Sequence, residues 1–466
     1  MMSSAPCKLL HLGTVGRHRI EWSGLNGEIA RIFGLAEASA PPILGVITVP
    51  GDGITLIRGF SGTGKSTLLR QVCAARPEAR QLGPAPDGRR TPIELMHGTL
   101  AERIRSLGRF GLGEATAMIT PAGKLSVGQR HRLQLAMLLD ARPRVVAIDE
   151  FLSGLDETTA AIVAHNFQRL CRRDSVTAYI ASAQAHILEA LGPDHVVTLD
   201  FHGHARVETD AAPAPRIAAL DELWVGPGSA SEMRSLSRFH YETDASIDWR
   251  DTRVGIRIAK LDGQVVGGAV YGPPLPAACD SIPILAEINR CVVALIRTIV
   301  HPTLRGAGLT RHLLPPVGTD VRLLSTVSAL GKFIPFHVRH GFELVDHPRN
   351  VRRPSHHALE RELHALGETD IAPLYDRAYA QTLWDRLSPN AAGRLGEAVR
   401  SVLIEDNVQT CAYLAGHAGL AMSAEEERQV QAIFSSALAN VPPEGFGFLL
   451  SEAIYFPMQG AIKRLR

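Results

Sequence analysis

Apolar positions follow two regimes along the chain. Up to about residue 205, short runs of β-branched and small apolar residues alternate with stretches whose apolar positions recur every three to four residues. The clearest runs are Thr55–Arg58, Arg144–Ile148, Thr177–Ala181 and His195–Leu199. This alternation predicts a parallel sheet covered by helices. Asp210-Ala-Ala-Pro-Ala-Pro-Arg216, small and proline-containing, reads as an extended connector. Beyond it lie shorter strand candidates at Gly255–Lys260, Val265–Tyr271 and Leu295–Val300, a helix starting near Gly308, and the strand-like Phe342-Glu-Leu-Val345. After a break at Pro348–Pro354 the pattern turns helical, with a Ser423-x-x-Glu426 capping box ahead of Val430, Ile433, Phe434, Ala437 and Leu438. The expected division is an N-terminal segment over 1–44, an α/β domain over 45–208, a linker over 209–222, an α+β domain over 223–350 and a helical region over 351–466.

Composition narrows the function classes. With 466 residues, 45% of them apolar and 21% charged, the chain has material for several cores, which excludes disorder and fibrous structure. A net charge of +2 gives no global pull towards nucleic acid. No apolar run reaches the roughly 18–20 residues of a bilayer span; Val292–Val300 is broken by Arg297. The opening Met-Met-Ser-Ser-Ala-Pro-Cys lacks the basic head and apolar block of a secretory signal, so a cytoplasmic protein is expected. Cys7, Cys73, Cys171, Cys279, Cys291 and Cys411 lie far apart, which suggests reduced thiols rather than a disulfide frame or a zinc site.

The first chemistry-bearing motif is Gly59-Phe60-Ser61-Gly62-Thr63-Gly64-Lys65-Ser66, followed by Thr67; it fits G-x-x-x-x-G-K-[ST] between a strand and a helix. Its glycines let backbone N–H groups turn inward around phosphate oxygens, Lys65 would reach the terminal phosphates, and the Ser66 hydroxyl would take a Mg²⁺ position. Leu125-Ser126-Val127-Gly128-Gln129 then opens a helix, and Val145–Ile148 ends in Asp149-Glu150 with Ser153-Gly-Leu-Asp156 directly after. Asp149 at a strand end can hold Mg²⁺, and Glu150 can orient and deprotonate the attacking water.

These four motifs, in this order over about residues 45–205, resemble the ATP-binding-cassette (ABC) ATPases. The resemblance implies a P-loop NTPase fold binding ATP and Mg²⁺. It also implies that Leu125, Ser126, Val127, Gly128, Gln129 and Asp156 act in trans on ATP held by the loop of a second subunit, hence a homodimer. Three departures stand out. Ala183 occupies the place of the family's switch histidine; Gln184 and His186 are the candidates to replace it, against the plainer reading that both start a helix. Only 67 positions separate Gly59 from Ser126, little room for the subdomain that grips a permease, so a permease partner is not expected. Neither an adenine-stacking aromatic before the loop nor a convincing Q-loop glutamine is found, Gln81 being a poor candidate.

A second glycine turn lies in Arg297-Thr-Ile299-Val300-His-Pro302-Thr-Leu-Arg305-Gly306-Ala307-Gly308-Leu309-Thr310. A strand, a glycine turn and a helix start would again cradle a pyrophosphate. With Phe336-His337-Val-Arg-His-Gly341-Phe342 downstream, residues 225–346 resemble the GNAT acetyltransferase superfamily, an α+β fold. The resemblance implies acetyl-CoA or another acyl-CoA held by Ile299, Val300 and Arg305 to Thr310, with His337 as the acid for the departing thiolate. Thr310 stands where a glycine or alanine is usual, Leu330 replaces an asparagine, and neither Glu287 nor His240 can be singled out as the base.

The pairing of both halves, with Phe33-Gly-Leu and Phe239-His-Tyr241, resembles prokaryotic ABC-type ATPases fused to a predicted acetyltransferase. That transferase half is distantly like the phage Mom DNA-modification proteins, although Glu242 departs from the pattern. Residues 297–353 carry nine Lys/Arg against three acids, which offers nucleic acid as a partner. Three functions are therefore open. They are an ATPase coupled to an acyltransferase acting on an amine, a repair-type nucleic-acid ATPase with a non-catalytic GNAT-like module, and a transporter ATPase subunit with an appended domain.

Overall fold

The computed structural model describes residues 9–12, 23–34, 47–201, 204–209, 214–240, 247, 249, 251–328, 331, 333, 336–439, 443–454 and 459–465. The proposed connector at 210–213, Cys7, Tyr241, Glu242 and Leu330 lie outside them, as does most of the 1–44 segment. The chain forms two compact units rather than the three domains expected. Unit 1 is Met1–Trp224 with Lys260–Val266 and Val300–Leu309; unit 2 is Val225–Ala259, Gly267–Ile299 and Thr310–Arg466.

In unit 1, β1 (Leu9–Leu12) pairs antiparallel with β2 (Ile47–Pro50), with helix α1 (Gly24–Ile32) between them in sequence. The main sheet runs β4-β5-β6-β3-β7-β8, formed by β3 (Ile54–Gly59), β4 (Arg80–Gln81), β5 (Val145–Ile148), β6 (Thr177–Ala181), β7 (His195–Leu199) and β8 (Ala205–Thr209). All neighbours are parallel except β8 against β7. A parallel sheet needs cover on both faces, hence the near-continuous apolar runs of β3, β5, β6 and β7. Helix α2 (Lys65–Ala75) places Leu68, Leu69 and Val72 against Ile57, Val145, Tyr179 and Val197. Burial of each such large side chain is worth about 1.5–3 kcal/mol.

Three short helices follow β4: α3 (Pro92–Leu95), α4 (Leu100–Arg109) and α5 (Ala115–Ile119). Helix α6 (Val127–Asp140) begins in a capping box. The Ser126 hydroxyl accepts the Gln129 N–H at 3.2 Å while Gln129 Oε1 accepts the Ser126 N–H at 3.0 Å. Asp156 caps α7 (Glu157–Arg173), and the short α8 (Ile187–Leu191) ends at Gly192.

Unit 2 is built on a sheet of order β14-β15-β13-β12-β11-β10-β9. Its strands are β9 (Trp224–Pro227), β10 (Gly255–Leu261), β11 (Gln264–Gly272), β12 (Val292–Val300), β13 (Leu323–Ser328), β14 (Glu343–Asp346) and β15 (Gln459–Arg464). Strand β12 pairs in parallel with β13, in register from Val292↔Leu323 to Leu295↔Thr326. Past that point β12 runs on to Val300, while β13 keeps pairing with β15 as far as Ser328↔Gln459. The two strands therefore part at their carboxyl ends.

The helices of unit 2 are α9 (Ala230–Ser235), α10 (Pro283–Cys291), α11 (Pro354–Ala365), α12 (Arg377–Asp385), α13 (Pro389–His417), α14 (Ala424–Ala439) and α15 (Phe446–Ala453). Residues 351–466 are thus not a separate helical region. The stretch α11–α15 is an insertion between β14 and β15, and α13 and α14 share one core with α10, β12, β13 and β15 through Leu285, Val292, Leu323, Cys411, Leu414, Val430 and Ile462. The helix expected at Gly308 is only a 3₁₀ turn, Leu309–Leu313. Pro315 and Pro316 remove the N–H groups that its next turn would need.

Candidate nucleotide site

The carboxyl edge of the unit 1 sheet gathers the motifs. Between β3 and α2 the loop Gly59–Gly64 turns with Gly62 at φ 83° and Gly64 at φ 98°. Gly64 in that conformation immediately precedes the first helical residue, Lys65. A Cβ on Gly59 would lie 2.6 Å from the Leu199 carbonyl oxygen and 2.7 Å from Thr63 Oγ1, so only glycine fits. The Lys65 ammonium folds back over the loop, donating to the Gly59 and Phe60 carbonyls at 2.8 Å each. Its charge therefore hangs over the concavity where phosphate oxygens would sit. Thr63 Oγ1 donates to the Phe60 carbonyl at 2.9 Å and braces the same turn. Ser61 and Ser66 are exposed, and the Thr67 hydroxyl accepts from Arg70 at 3.2 Å.

Two strands away, β5 ends in Asp149 and Glu150, both exposed at the top of a strand that is buried throughout. The Glu150 N–H donates to Asp149 Oδ1 at 3.0 Å, and Glu150 itself has a left-handed backbone, φ 50°. Hydroxyl and carboxylate oxygens are the ligands a hard divalent cation prefers, so Ser66 and Asp149 suit Mg²⁺. When bound, Mg²⁺ would supply charge neutralisation on the transferring phosphoryl group.

At the start of α6, Leu125 is buried while Val127 stands 67% exposed at the open end of the helix. Gly128 packs so closely that a Cβ there would meet Leu155 Cδ2 at 2.7 Å. Asp156 accepts the Thr159 N–H and hydroxyl at 2.9 and 2.6 Å. Burial alone would raise its pKa, but those hydrogen bonds and the Arg132 charge hold the carboxyl below its usual range. Where a switch histidine was sought, Ala183 is exposed, while Gln184 Nε2 donates to the Leu152 carbonyl at 3.3 Å and His186 Nδ1 lies 3.9 Å from Glu157.

No protein-family model matches the chain. A phosphite import ATP-binding protein of Stutzerimonas stutzeri is 26% identical over 215 residues, covering 37% of this chain and 77% of that protein. An aliphatic sulfonates import ATP-binding protein of Xanthomonas axonopodis pv. citri is 30% identical over 195 residues, covering 36% of this chain and 65% of that protein. About 40% of the chain is an ABC ATPase domain. Among solved structures, the dimeric post-hydrolysis state of an ATP-binding cassette bound to ADP and Pi matches 43% of this chain and 98% of its own, at 15% identity and a TM-score of 0.33.

Within the ABC ATPase domain the structure also places Gln81 and His131. Gln81, judged a poor Q-loop candidate, ends β4 opposite Ala147, one strand over from the segment that leads into Asp149. His131 on α6 accepts the Leu152 N–H at 3.3 Å. The sequence held no signal for His131, because its partner is a backbone group.

The acyl-CoA candidates fare differently. Val300–Leu309 belongs to unit 1. Gly306 and Gly308 have the positive φ expected of a cradle, 87° and 86°. Yet Arg305 turns inward: its Nε donates to the Val300 carbonyl at 3.1 Å and its Nη2 lies 3.9 Å from Glu114. A Cβ on Gly306 would meet Asn166 Nδ2 at 2.5 Å, and Leu304 and Leu309 pack with Ile162 and Ile217 around Ala307. Ile299 is buried in unit 2, and Thr310 begins the short 3₁₀ stretch with Leu309.

His337 is buried, 5.5 Å ring to ring from Phe342; burial and then the neighbouring His340 push its pKa down to about 4. Such an imidazole is held in its neutral form at pH 7, a far weaker acid than the imidazolium. Glu287 is gripped by Arg290 at 2.8 Å. The basic stripe is largely committed as well. Arg297 is buried, Arg322 pairs with Glu287, Arg349 with Glu452, Arg352 with Glu360 and Arg353 with Asp406.

Proposed function

We propose that the chain is an ATP-hydrolysing cassette that works as a head-to-tail pair of copies. The observation that carries this reading is the Lys65 ammonium poised over the phosphate loop at the same sheet edge as Asp149 and Glu150. Lys65 and the loop N–H groups hold the β- and γ-phosphates; Ser66 and Asp149 hold Mg²⁺. Glu150 takes the proton of the attacking water. Ser126 and Gly128, at the open end of α6, meet the γ-phosphate bound by a second copy, which closes the site against bulk water. The test is turnover of ATP by the full chain, with Glu150→Gln expected to bind ATP, stop hydrolysis and accumulate the pair.

Unit 2 is read as a GNAT-like module, supported by its sheet order and by the parting of β12 from β13, the opening in which an extended acyl-CoA would lie. Calorimetry with acetyl-CoA tests it: no saturable binding removes the acyl donor from the account. The relatives' names favour a second reading, the ATPase of an import system, although no helix among the described residues is long and apolar enough to cross a membrane. Co-purification with a membrane permease would establish that one instead.

A further inference from the structure

The turn after Glu150 is held by more than its own chain. Glu150 and Leu152 both have left-handed backbones, φ 50° and 63°, without being glycine. Each such residue costs about 1–3 kcal/mol and persists only when its surroundings dictate it. The turn closes on itself, Ser153 N–H to the Glu150 carbonyl at 3.0 Å, and its surroundings add side chains from two other elements. His131 Nε2, on α6, accepts the Leu152 N–H at 3.3 Å. Gln184 Nε2, just past β6, donates to the Leu152 carbonyl at 3.3 Å. The N–H of this strained residue is thus taken by a side chain, its carbonyl accepts from Gln184 beside the backbone N–H of Leu155 at 3.2 Å, and the Leu152 side chain is fully buried. The preceding residue is fixed as well: the Phe151 N–H donates to the Ala181 carbonyl at 3.0 Å and Ser182 Oγ donates to the Phe151 carbonyl at 3.2 Å.

We propose that His131 and Gln184 are positioning residues for Glu150, a clamp on the Leu152 backbone that fixes the direction in which the acid is presented. The inference rests on the reading of Glu150 as the water-activating group. The clamp makes Gln184 a substitute for the missing switch histidine by holding the acid rather than by touching nucleotide. It also bonds the helix that opens with Ser126 to the peptide beyond Glu150, so the trans-acting corner and the acid move as one piece. For His131 to accept, its proton must sit on Nδ1 and the ring must be neutral; burial lowers its pKa and favours that form. The orientation of Gln184 is equally determined, because its amide oxygen facing the Leu152 carbonyl would be repelled.

The test is steady-state ATP hydrolysis by the full-length chain, with ATP affinity measured in parallel by calorimetry. His131→Leu, which keeps bulk and removes the acceptor, is expected to lower kcat about tenfold or more with KM and Kd for ATP within about twofold. His131→Gln restores a neutral acceptor and is expected to recover kcat to within about threefold of wild type. Gln184→Glu, the same shape without the N–H donor, is expected to fall with His131→Leu. The clamp is overturned by variants whose kcat stays within twofold of wild type. It is overturned equally by His131→Gln failing to rescue while both variants lose ATP affinity and thermal stability together, the mark of a merely structural role. A wild-type chain that binds ATP without turnover instead sinks the assignment of Glu150 itself.

Discussion

Two glycine turns of this protein, each leaving a strand, look alike in sequence and behave as opposites in structure. Gly59–Ser66 opens onto an eleven-residue helix, with Lys65 laid over an open concavity. Arg305–Thr310 opens onto a 3₁₀ stretch of five residues, and its one strong cation faces a carbonyl and a half-buried glutamate. Both contain glycines with φ above 80°. A chain reversal therefore needs glycine whatever it encloses. What separates a phosphate site from a packing turn is where the cation points and whether helix N–H groups follow.

The largest effects should come from the first turn. Lys65→Ala is expected to abolish measurable ATP binding by calorimetry, and turnover should fall at least about a hundredfold. Glu150→Gln should match that loss of turnover while keeping ATP affinity within a few-fold, and should shift the chain to a larger species in size-exclusion chromatography with ATP and Mg²⁺. An unchanged rate in either variant would erase the distinction between the turns.

Acidification separates the units next. His337 and His347 are both buried, and burial pushes each down to about 4. In the unfolded chain they titrate near 6.5, so above that pH both states are neutral and nothing is lost. As pH falls from 6.5 towards 4 the unfolded state takes up protons first, and each imidazole removes about 3 kcal/mol of stability. Thermal melts of the full chain between pH 7 and 4.5 should show unit 2 weakening over that window; replacing both histidines by Gln should flatten the dependence.

Smaller effects probe the second turn. Arg305→Ala should lower stability by about 1–3 kcal/mol, read as a fall in melting temperature, while leaving any acetyl-CoA affinity within about threefold. A tenfold loss of that affinity would instead show the guanidinium swinging outward to the ligand. Gly306→Ala should cost about 1–2 kcal/mol through its positive φ and the clash with Asn166. Gly62→Ala, with the same backbone strain but open space around it, should cost less in stability and more in ATP affinity.

Much of the first unit was legible because its strands are uninterrupted apolar runs bounded by glycine or charge; β6 and β7 coincide with their expected limits. The capping box at Ser423 was equally readable, since capping is local chemistry. What escaped depends on distant partners. Strand β15 contains Gly460 and Lys463 and follows a long helical stretch, so nothing nearby marks it as the strand between β13 and β14. His131 gave no sign of its role because Leu152 acquires its left-handed backbone only in the folded turn. The inward turn of Arg305 was not legible because Glu114 lies far away in sequence.

The late placement of β15 sets an order on assembly. Strands β13 and β14 cannot meet directly; each waits for a segment that follows α15 in the chain. Until that segment arrives, β13 presents a row of unpaired amides flanked by Leu323 and Leu324, a template for adhesion between unfinished molecules. The helices from α11 to α15 therefore do more than cover the sheet: they stand between β14 and β15 in the chain, so the pairing that completes the sheet is closed across their whole length.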